Sequence, residues 1–322
     1  MKHIAVLTSG GDSPGMNPAV RAVVRTALGA GCKVTGIMRG YQGLLDEDFV
    51  DMSSRSVGGI VNRGGTILKS ARCKAFYEDG GVQAGAEILK RCQIDGLVVI
   101  GGDGSYRGAR KLAEQHGIAV VGAPGTIDND IYGTDFTIGF DTAATIALEA
   151  IDRIRDTATS HDRLFVVEVM GRHSGHLALA VGLAGGAEEI LLPETPTDLD
   201  LICKHLDDMR QRGKTSSLIV YAEGDEFGSS IEFGKQIAAR TDYNVRVSVL
   251  GYIQRGGSPT LNDRILATRL GAAAVEQLLA GKSNLAVGIV NSELATCSLQ
   301  DAAESKKPVP DELVRLAANM AT

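Results

Sequence analysis

Along the chain, short runs that are apolar on both faces alternate with longer segments in which apolar residues recur at helical spacing. Residues 4–7 read as a first buried strand, followed by a helix over about 14–30 and a strand over 33–38. The pattern continues with a helix near 84–91, a strand at 96–100, a helix over 105–116, a strand at 118–122 and a long helix over 142–158. It then restarts with a strand at 164–169, a helix over 175–183, a strand at 190–192, a helix near 199–212 and a strand at 217–221. The remainder predicts a strand at 245–250, a helix over 263–280, a strand at 285–290 and a final helix near 310–319. Alternation of this kind is βαβ grammar. Strands apolar on both faces predict mainly parallel sheets covered by helices on either side. The expected fold is α/β, with two Rossmann-like three-layer α/β/α lobes.

Length supports two lobes, since 322 residues exceed what one hydrophobic core comfortably organises. Neither a short repeat nor a flexible linker separates them, so the lobes are expected to share more than one crossing of the chain. The 44% hydrophobic and 22% charged residues are those of an ordinary globular protein, and no long uncharged apolar run predicts a membrane span. Met1-Lys2-His3 leads directly into the first strand, without a signal-like apolar region or cleavage site, which predicts a cytoplasmic location. Five scattered cysteines with no C-x-x-C pair predict reduced, structural thiols. The net charge of −6 offers no global positive field for nucleic acid, so any anion site must be local. Forty glycines, against an average usage of about 7%, cluster where strands pass into helices and favour backbone that approaches a ligand.

Three of these junctions carry chemistry. Thr8-Ser9-Gly10-Gly11-Asp12-Ser13-Pro14-Gly15 lies between the first strand and helix, where N–H groups and the helix dipole favour phosphate. It is neither a P-loop nor a regular G-x-G-x-x-G. Gly101-Gly102-Asp103-Gly104-Ser105 repeats the arrangement with a carboxylate, the type of group that Mg²⁺ takes beside phosphate oxygens and water; a helix-capping Asp103 is the alternative. Pro124-Gly125-Thr126-Ile127-Asp128-Asn129-Asp130 places a hydroxyl and two carboxylates after a buried strand, although Pro, Gly, Asn and Asp also suit a plain turn. Phosphoryl transfer further requires cations, for which Arg72 and Arg172, both in loops, are the candidates.

Taken together with Met170-Gly171-Arg172 and Gln254-Arg255-Gly256-Gly257-Ser258-Pro259, these segments resemble the bacterial ATP-dependent 6-phosphofructokinases over nearly the whole chain. The resemblance implies an ATP-binding lobe of residues 1–139 plus 254–304 and a sugar-phosphate lobe of residues 140–253 plus 305–322. It implies phosphoryl transfer from MgATP to the 1-hydroxyl of fructose 6-phosphate, giving fructose 1,6-bisphosphate, the committed step of glycolysis. Asp128 would be the base, with Thr126 and Arg172 holding the transferring group. Gly11, Arg72, Cys73, Gly102, Asp103, Gly104 and Ser105 would contact ATP, and Asp103 would serve the magnesium. Asp130 would order the loop or assist the metal. Small residues at Gly104 and Gly125, where pyrophosphate-dependent relatives carry Asp and Lys, imply ATP as donor.

For the sugar phosphate, the resemblance implies Thr126, Ile127, Asp128, Met170, Gly171, Arg172, Glu223, Tyr252 and Arg255, with Arg163 and Arg246 reaching in from a neighbouring subunit of a homotetramer. Tyr252 departs from the family, most of whose members have a histidine there. A phenol donates a hydrogen bond but cannot become cationic, which predicts a flatter pH response of sugar-phosphate affinity. An effector pocket for ADP, GDP or phosphoenolpyruvate is implied at Arg21, Arg25, Arg155, Gly186, Glu188, Arg212 and Lys214. Arg55 is displaced by one residue there, and Thr215 and Ser216 replace a Lys-His pair, which predicts weaker binding of highly charged effectors. A kinase for another sugar phosphate or a nucleoside, and a nucleotide sensor without catalysis, are the competing readings.

Overall fold

The computed structural model describes residues 1–161 and 163–320. Its strands are β1 (His3–Thr8), β2 (Lys33–Ile37), β3 (Phe49–Asp51), β4 (Gly96–Gly101), β5 (Ala119–Pro124), β6 (Arg163–Val169), β7 (Glu189–Leu191), β8 (Ser217–Ala222), β9 (Asn244–Val249), β10 (Leu285–Val290) and β11 (Glu293–Ser298). The α-helices are α1 (Met16–Gly29), α2 (Gly40–Leu45), α3 (Asp79–Arg91), α4 (Asp103–His116), α5 (Phe140–Thr159), α6 (His176–Ala184), α7 (Leu199–Gln211), α8 (Ser230–Arg240), α9 (Leu261–Leu279), α10 (Leu299–Glu304) and α11 (Asp311–Met320). None among the described residues is long and apolar enough to cross a membrane.

Two compact units result. The first comprises Met1–Ile127, Ile131–Thr142 and Arg255–Lys307, and the second comprises Asp128–Asp130, Ala143–Gln254 and Pro308–Thr322. Asp128, Asn129, Asp130 and Gln254, expected in the first lobe, thus group with the second, and residues 140–142 and 305–307, expected in the second, group with the first.

The first unit is a seven-stranded sheet in the order β11-β10-β5-β4-β1-β2-β3. Its five inner strands are parallel, and β3 and β11 pair antiparallel at the edges. Period-two side-chain alternation explains why the middle of β1 is apolar on both faces: Ile4 and Val6 enter the core on one face, Ala5 and Leu7 the core on the other. Val98 and Ile100 alternate in the same way with Leu97 and Val99.

Among the described residues of this unit, one carboxylate is buried. Asp263 of α9 is 1% exposed and accepts hydrogen bonds from Gly139 N (2.7 Å), Thr142 N (2.8 Å) and Thr142 Oγ1 (2.5 Å). It therefore caps the start of α5 from a distant part of the chain. Burial raises its carboxyl from 3.8 to about 6, and the three donors only partly offset that.

The second unit is a four-stranded parallel sheet in the order β7-β8-β6-β9. Leu164, Val166, Ile219 and Tyr221 share one core with Phe233 and Ile237 of α8. Helices α2, α8 and α10 and strands β3 and β11 lie outside the sequence-based expectation. The α8 segment is interrupted by Gly234, which admits Val247 Cγ2 against the helix backbone. Strand β11 is largely exposed and short of β-branched residues. Helix α3 starts five residues before its expected start near 84, because Gly80 and Gly81, which read as breaks, lie inside it; a side chain at Gly81 would fall on the Ala75 carbonyl.

Candidate functional site

In the first unit β1 and β4 are neighbours, yet β1 leads through α1 to β2 on one side and β4 through α4 to β5 on the other. Open parallel sheets bind ligands at the carboxyl ends of strands where the order reverses in this way. Both glycine loops sit there. Ser9 N donates to Ile100 O at 3.0 Å, and a Cβ on Gly101 would lie 2.5 Å from Ser105 Oγ and 2.6 Å from Ser9 O. Gly10 has φ 86, a conformation that an L side chain strains against, and its carbonyl accepts from Ser70 Oγ. The loops are thereby fixed close together by backbone, with little side-chain bulk between them.

Helix α4 begins at this junction. Gly102 is its N-cap without a side-chain cap bond, and Asp103, Gly104 and Ser105 form its first turn. Tyr41 donates its hydroxyl to Ser105 O at 2.6 Å and stacks on Phe76 at 4.2 Å, which anchors the turn from behind. Asp103 is partly exposed, with Oδ2 2.5 Å from Arg107 Nη2. Among the described residues no group of three or more His, Cys, Asp or Glu side chains is placed to hold a metal. The single carboxylate of Asp103, open to solvent beside its contact with Arg107, fits Mg²⁺, which completes its shell with phosphate oxygens and water.

The two glycines expected to bear on donor choice differ in surroundings. A Cβ on Gly104 meets nothing within 4 Å, whereas one on Gly125 would lie 3.0 Å from Ile100 Cγ2 and 3.2 Å from Met16 Cε. Gly125 N donates to Gly101 O at 3.0 Å, Ile138 N to Pro124 O at 2.8 Å and Thr137 Oγ1 to Thr126 O at 2.6 Å. Thr126 and Ile127 are accordingly buried. Arg72 is exposed and Cys73 buried with a free thiol. Arg255 belongs to this unit: its Nη1 donates to Asp12 O at 2.9 Å, and its guanidinium covers Gly11, where a Cβ would lie 2.6 Å from Nη1.

In the second unit the reversal falls at β6, flanked by β8 and β9. Residues 170–174, beyond its carboxyl end, carry the predicted Met170, Gly171 and Arg172. Ser174 N donates to Gly171 O at 3.0 Å, closing a four-residue turn, and Arg172 within it has φ 53. Left-handed backbone at a non-glycine costs roughly 1–2 kcal/mol, and two neighbours hold it. Glu223 Oε1 accepts from Gly171 N at 3.3 Å and from Arg172 N at 2.7 Å. Gly224 lies so close that any Cβ would fall on the Arg172 carbonyl. From the other flank, Gln254 Oε1 accepts from Met170 N at 2.9 Å.

Asp128 meets the same turn. Its side chain is 5% exposed, with Oδ2 3.8 Å from Arg172 Nε, while its carbonyl accepts from Ser174 Oγ at 2.8 Å. Asn129 follows at φ 52, in the left-handed region that Asn tolerates. The unit thus gathers Asp128, Met170, Gly171, Arg172 and Glu223. Gly224, Ser174 and Gln254 support them and were not singled out from the sequence, because their contacts are to backbone far along the chain.

Arg163 and Arg246 are not brought to this cluster within the chain. Arg163 opens β6, about 20 Å of extended chain from Met170, and exposed Arg246 on β9 pairs with Phe165 near the same end. Tyr252 is 83% exposed. Among the predicted effector residues, the second unit assembles Arg155, Gly186, Glu188 and Lys214. Arg155 Nη2 donates to Gly185 O (2.5 Å) and Gly186 O (2.6 Å). Glu188, 4% exposed at its side chain, lies 2.5 Å from Lys214 Nζ and 4.0 Å from Arg155 Nη1. Arg212 is exposed at the end of α7, and Arg21 and Arg25 lie on α1 of the first unit.

Parallel α/β units with backbone-lined loops at their strand-order reversals define a class of protein that handles phosphorylated ligands. The family model for phosphofructokinase matches residues 3–278. The ATP-dependent 6-phosphofructokinase of Halalkalibacterium halodurans is 56% identical over 316 residues, covering 98% of either chain. Among solved structures, phosphofructokinase from Saccharomyces cerevisiae is 35% identical with a TM-score of 0.88, matching 100% of this chain and 48% of the yeast chain. The pyrophosphate-dependent phosphofructokinase from Marinobacter aquaeolei is 28% identical with a TM-score of 0.85, over 97% of this chain and 86% of its own. The chain belongs to the phosphofructokinase family.

Proposed function

We propose that the chain transfers the γ-phosphoryl group of ATP to the 1-hydroxyl of fructose 6-phosphate, giving ADP and fructose 1,6-bisphosphate in the committed step of glycolysis. The observation that carries this reading is the buried Asp128 carboxylate, 3.8 Å from Arg172 and on a loop whose backbone is pinned on both sides. A positioned carboxylate is what proton removal from an attacking hydroxyl needs. As the sugar oxygen bonds to the γ-phosphorus, Asp128 takes its proton and the bond to the β-phosphate oxygen breaks, releasing ADP. Thr126 and Arg172 stabilise the transferring group by position and charge.

Gly11, Arg72, Cys73, Gly102, Asp103, Gly104 and Ser105 receive ATP, Cys73 mainly through its backbone. Asp103 would hold Mg²⁺ directly or through water, and the ion would neutralise charge on the phosphate oxygens. ATP is favoured over pyrophosphate by the open space at Gly104. Glu223 and the backbone of Met170 and Gly171 bind the sugar; Arg255 and Tyr252 serve its 6-phosphate. The remoteness of Arg163 and Arg246 within the chain supports their acting in a neighbouring subunit's site, which makes the homotetramer the working form. Arg21, Arg25, Arg155, Gly186, Glu188, Arg212 and Lys214 form the effector site for ADP, GDP or phosphoenolpyruvate, in a cytoplasmic enzyme.

A coupled assay with fructose 6-phosphate and either ATP or pyrophosphate tests the proposal. Turnover with ATP, little with pyrophosphate, and loss of turnover in Asp128→Asn are expected. An inactive parent protein would refute it.

A further inference from the structure

The parallel pairing of β9 with β6 ends early. Val249 is the last residue of β9 in register, opposite Glu168, and Leu250 N donates to Glu168 O at 3.0 Å. Beyond this point the chain leaves the sheet for a short 3₁₀ turn, Gly251–Arg255. The next ladder donor on β6, Met170 N, would face an empty place. It is taken instead by a side chain, Gln254 Oε1, at 2.9 Å. On the other flank the ladder runs on by one step, Glu223 N donating to Val169 O at 3.0 Å, before the Glu223 carboxylate collects Gly171 N and Arg172 N. Three successive backbone donors, at 170, 171 and 172, are therefore held by two side chains that approach from the two neighbouring strands.

Glu223 already has an assigned task at the sugar. Gln254 has none, is 0% exposed and lies in the segment that carries Tyr252. It is also poorly suited to a purely stabilising role, because its Nε2 is buried without a hydrogen-bond partner among the described residues. A buried, unspent donor is a cost that a folded protein normally avoids. An aliphatic side chain of similar volume would spare that cost, but it would release Met170 N.

We propose that Gln254 is a positioning residue: its amide oxygen stands in for the missing ladder acceptor and fixes the backbone at 170–172 relative to the 252–254 segment, so that the sugar-binding turn and Tyr252 share one rigid frame. The inference rests on the proposed phosphoryl transfer to fructose 6-phosphate. Its consequence is selective, since the donor-side loops of the first unit make no use of this bond.

Gln254→Leu removes the acceptor and Gln254→Glu keeps it, a buried Glu being protonated and close to Gln in shape. In steady-state assays of the intact oligomer, Gln254→Leu is expected to lower kcat/KM for fructose 6-phosphate roughly tenfold, the size of one such bond, with KM for ATP unchanged. Gln254→Glu is expected to recover most of the loss, because its carboxyl oxygen accepts from Met170 N as the amide oxygen does. Parental kcat/KM in Gln254→Leu, or an equal rise in both Michaelis constants, would overturn the inference while leaving the reaction assignment intact. Should Gln254→Leu not fold, Gln254→Met fills similar volume without an oxygen acceptor, and parental kcat/KM in that variant would overturn it equally. A parent protein that does not phosphorylate fructose 6-phosphate removes the reading on which the inference rests.

Discussion

Oδ2 of Asp128 lies 3.8 Å from Nε of Arg172, a carboxylate almost sealed from solvent beside a half-exposed guanidinium. The pair predicts that Asp128→Asn lowers kcat by roughly 10²- to 10⁴-fold, the usual worth of a general base, with KM for fructose 6-phosphate little changed. Arg172→Lys keeps the charge but loses the planar fork, and is expected to reduce kcat less than Asp128→Asn. Steady-state kinetics on both variants checks the order; a fully active Asp128→Asn would count against the base.

Glu223 holds two consecutive backbone donors with one oxygen. Glu223→Ala leaves both without it and is expected to cost roughly 1–3 kcal/mol of stability as well as sugar affinity. Glu223→Gln retains the oxygen and should preserve the turn while weakening sugar binding. Denaturant unfolding together with KM for the sugar phosphate separates the two effects.

Gly224 tolerates no side chain, because a Cβ would fall on the Arg172 carbonyl. Gly224→Ala must push the Arg172 turn away from Glu223, and a loss of activity out of proportion to the melting temperature is the expected signature. Parental activity in Gly224→Ala would mean that the close approach has no bearing on catalysis.

Gly104 and Gly125 should respond differently to the residues that pyrophosphate-dependent relatives carry. Gly104→Asp has room in the fold and is expected to leave stability near parental while raising KM for ATP. Gly125→Lys must displace Ile100 and Met16, at a cost of about 1–3 kcal/mol typical of overpacking. Thermal unfolding and ATP titrations of the two variants decide this, and equal destabilisation would contradict it.

Asp263 predicts a pH dependence of stability. Its folded carboxyl titrates near 6, raised from 3.8 mainly by burial, with Asp141 adding in the same direction and the Thr142 and Gly139 donors opposing. The stabilisation linked to its proton is fully present below about 3.8 and is lost as the pH rises through about 6, by up to roughly 3 kcal/mol. Asp263→Asn cannot ionise, so its deficit against the parent protein should be largest near pH 4 and shrink toward pH 7. A deficit that stays constant with pH would contradict the assignment.

The sheet interior was legible because β4 and β8 are buried along their whole length and β1 and β5 at all but their first residue, which leaves an apolar signature that no turn shares. Strand β11, exposed at a sheet edge, leaves none, and Gly234 masks the helical period of α8. At the site, the chemistry-bearing side chains Asp128, Asp103, Arg172 and Glu223 stood out by type and position. What holds them did not. Ser174 to the Asp128 carbonyl, Gln254 to Met170 N and the carbonyl lodged against Gly224 all depend on backbone groups brought together over 46, 84 and 52 residues of chain, respectively, and backbone groups are the same in every sequence.

The chain changes unit at 127/128, 130/131, 142/143, 254/255 and 307/308. No single break therefore releases either unit as one continuous polypeptide, and neither can be duplicated, exchanged or lost as a genetic block. A half taken from a relative must arrive as three separate segments, matched at five junctions. The two units diversify within one shared chain, so a change in one is always tested by selection in the presence of the other.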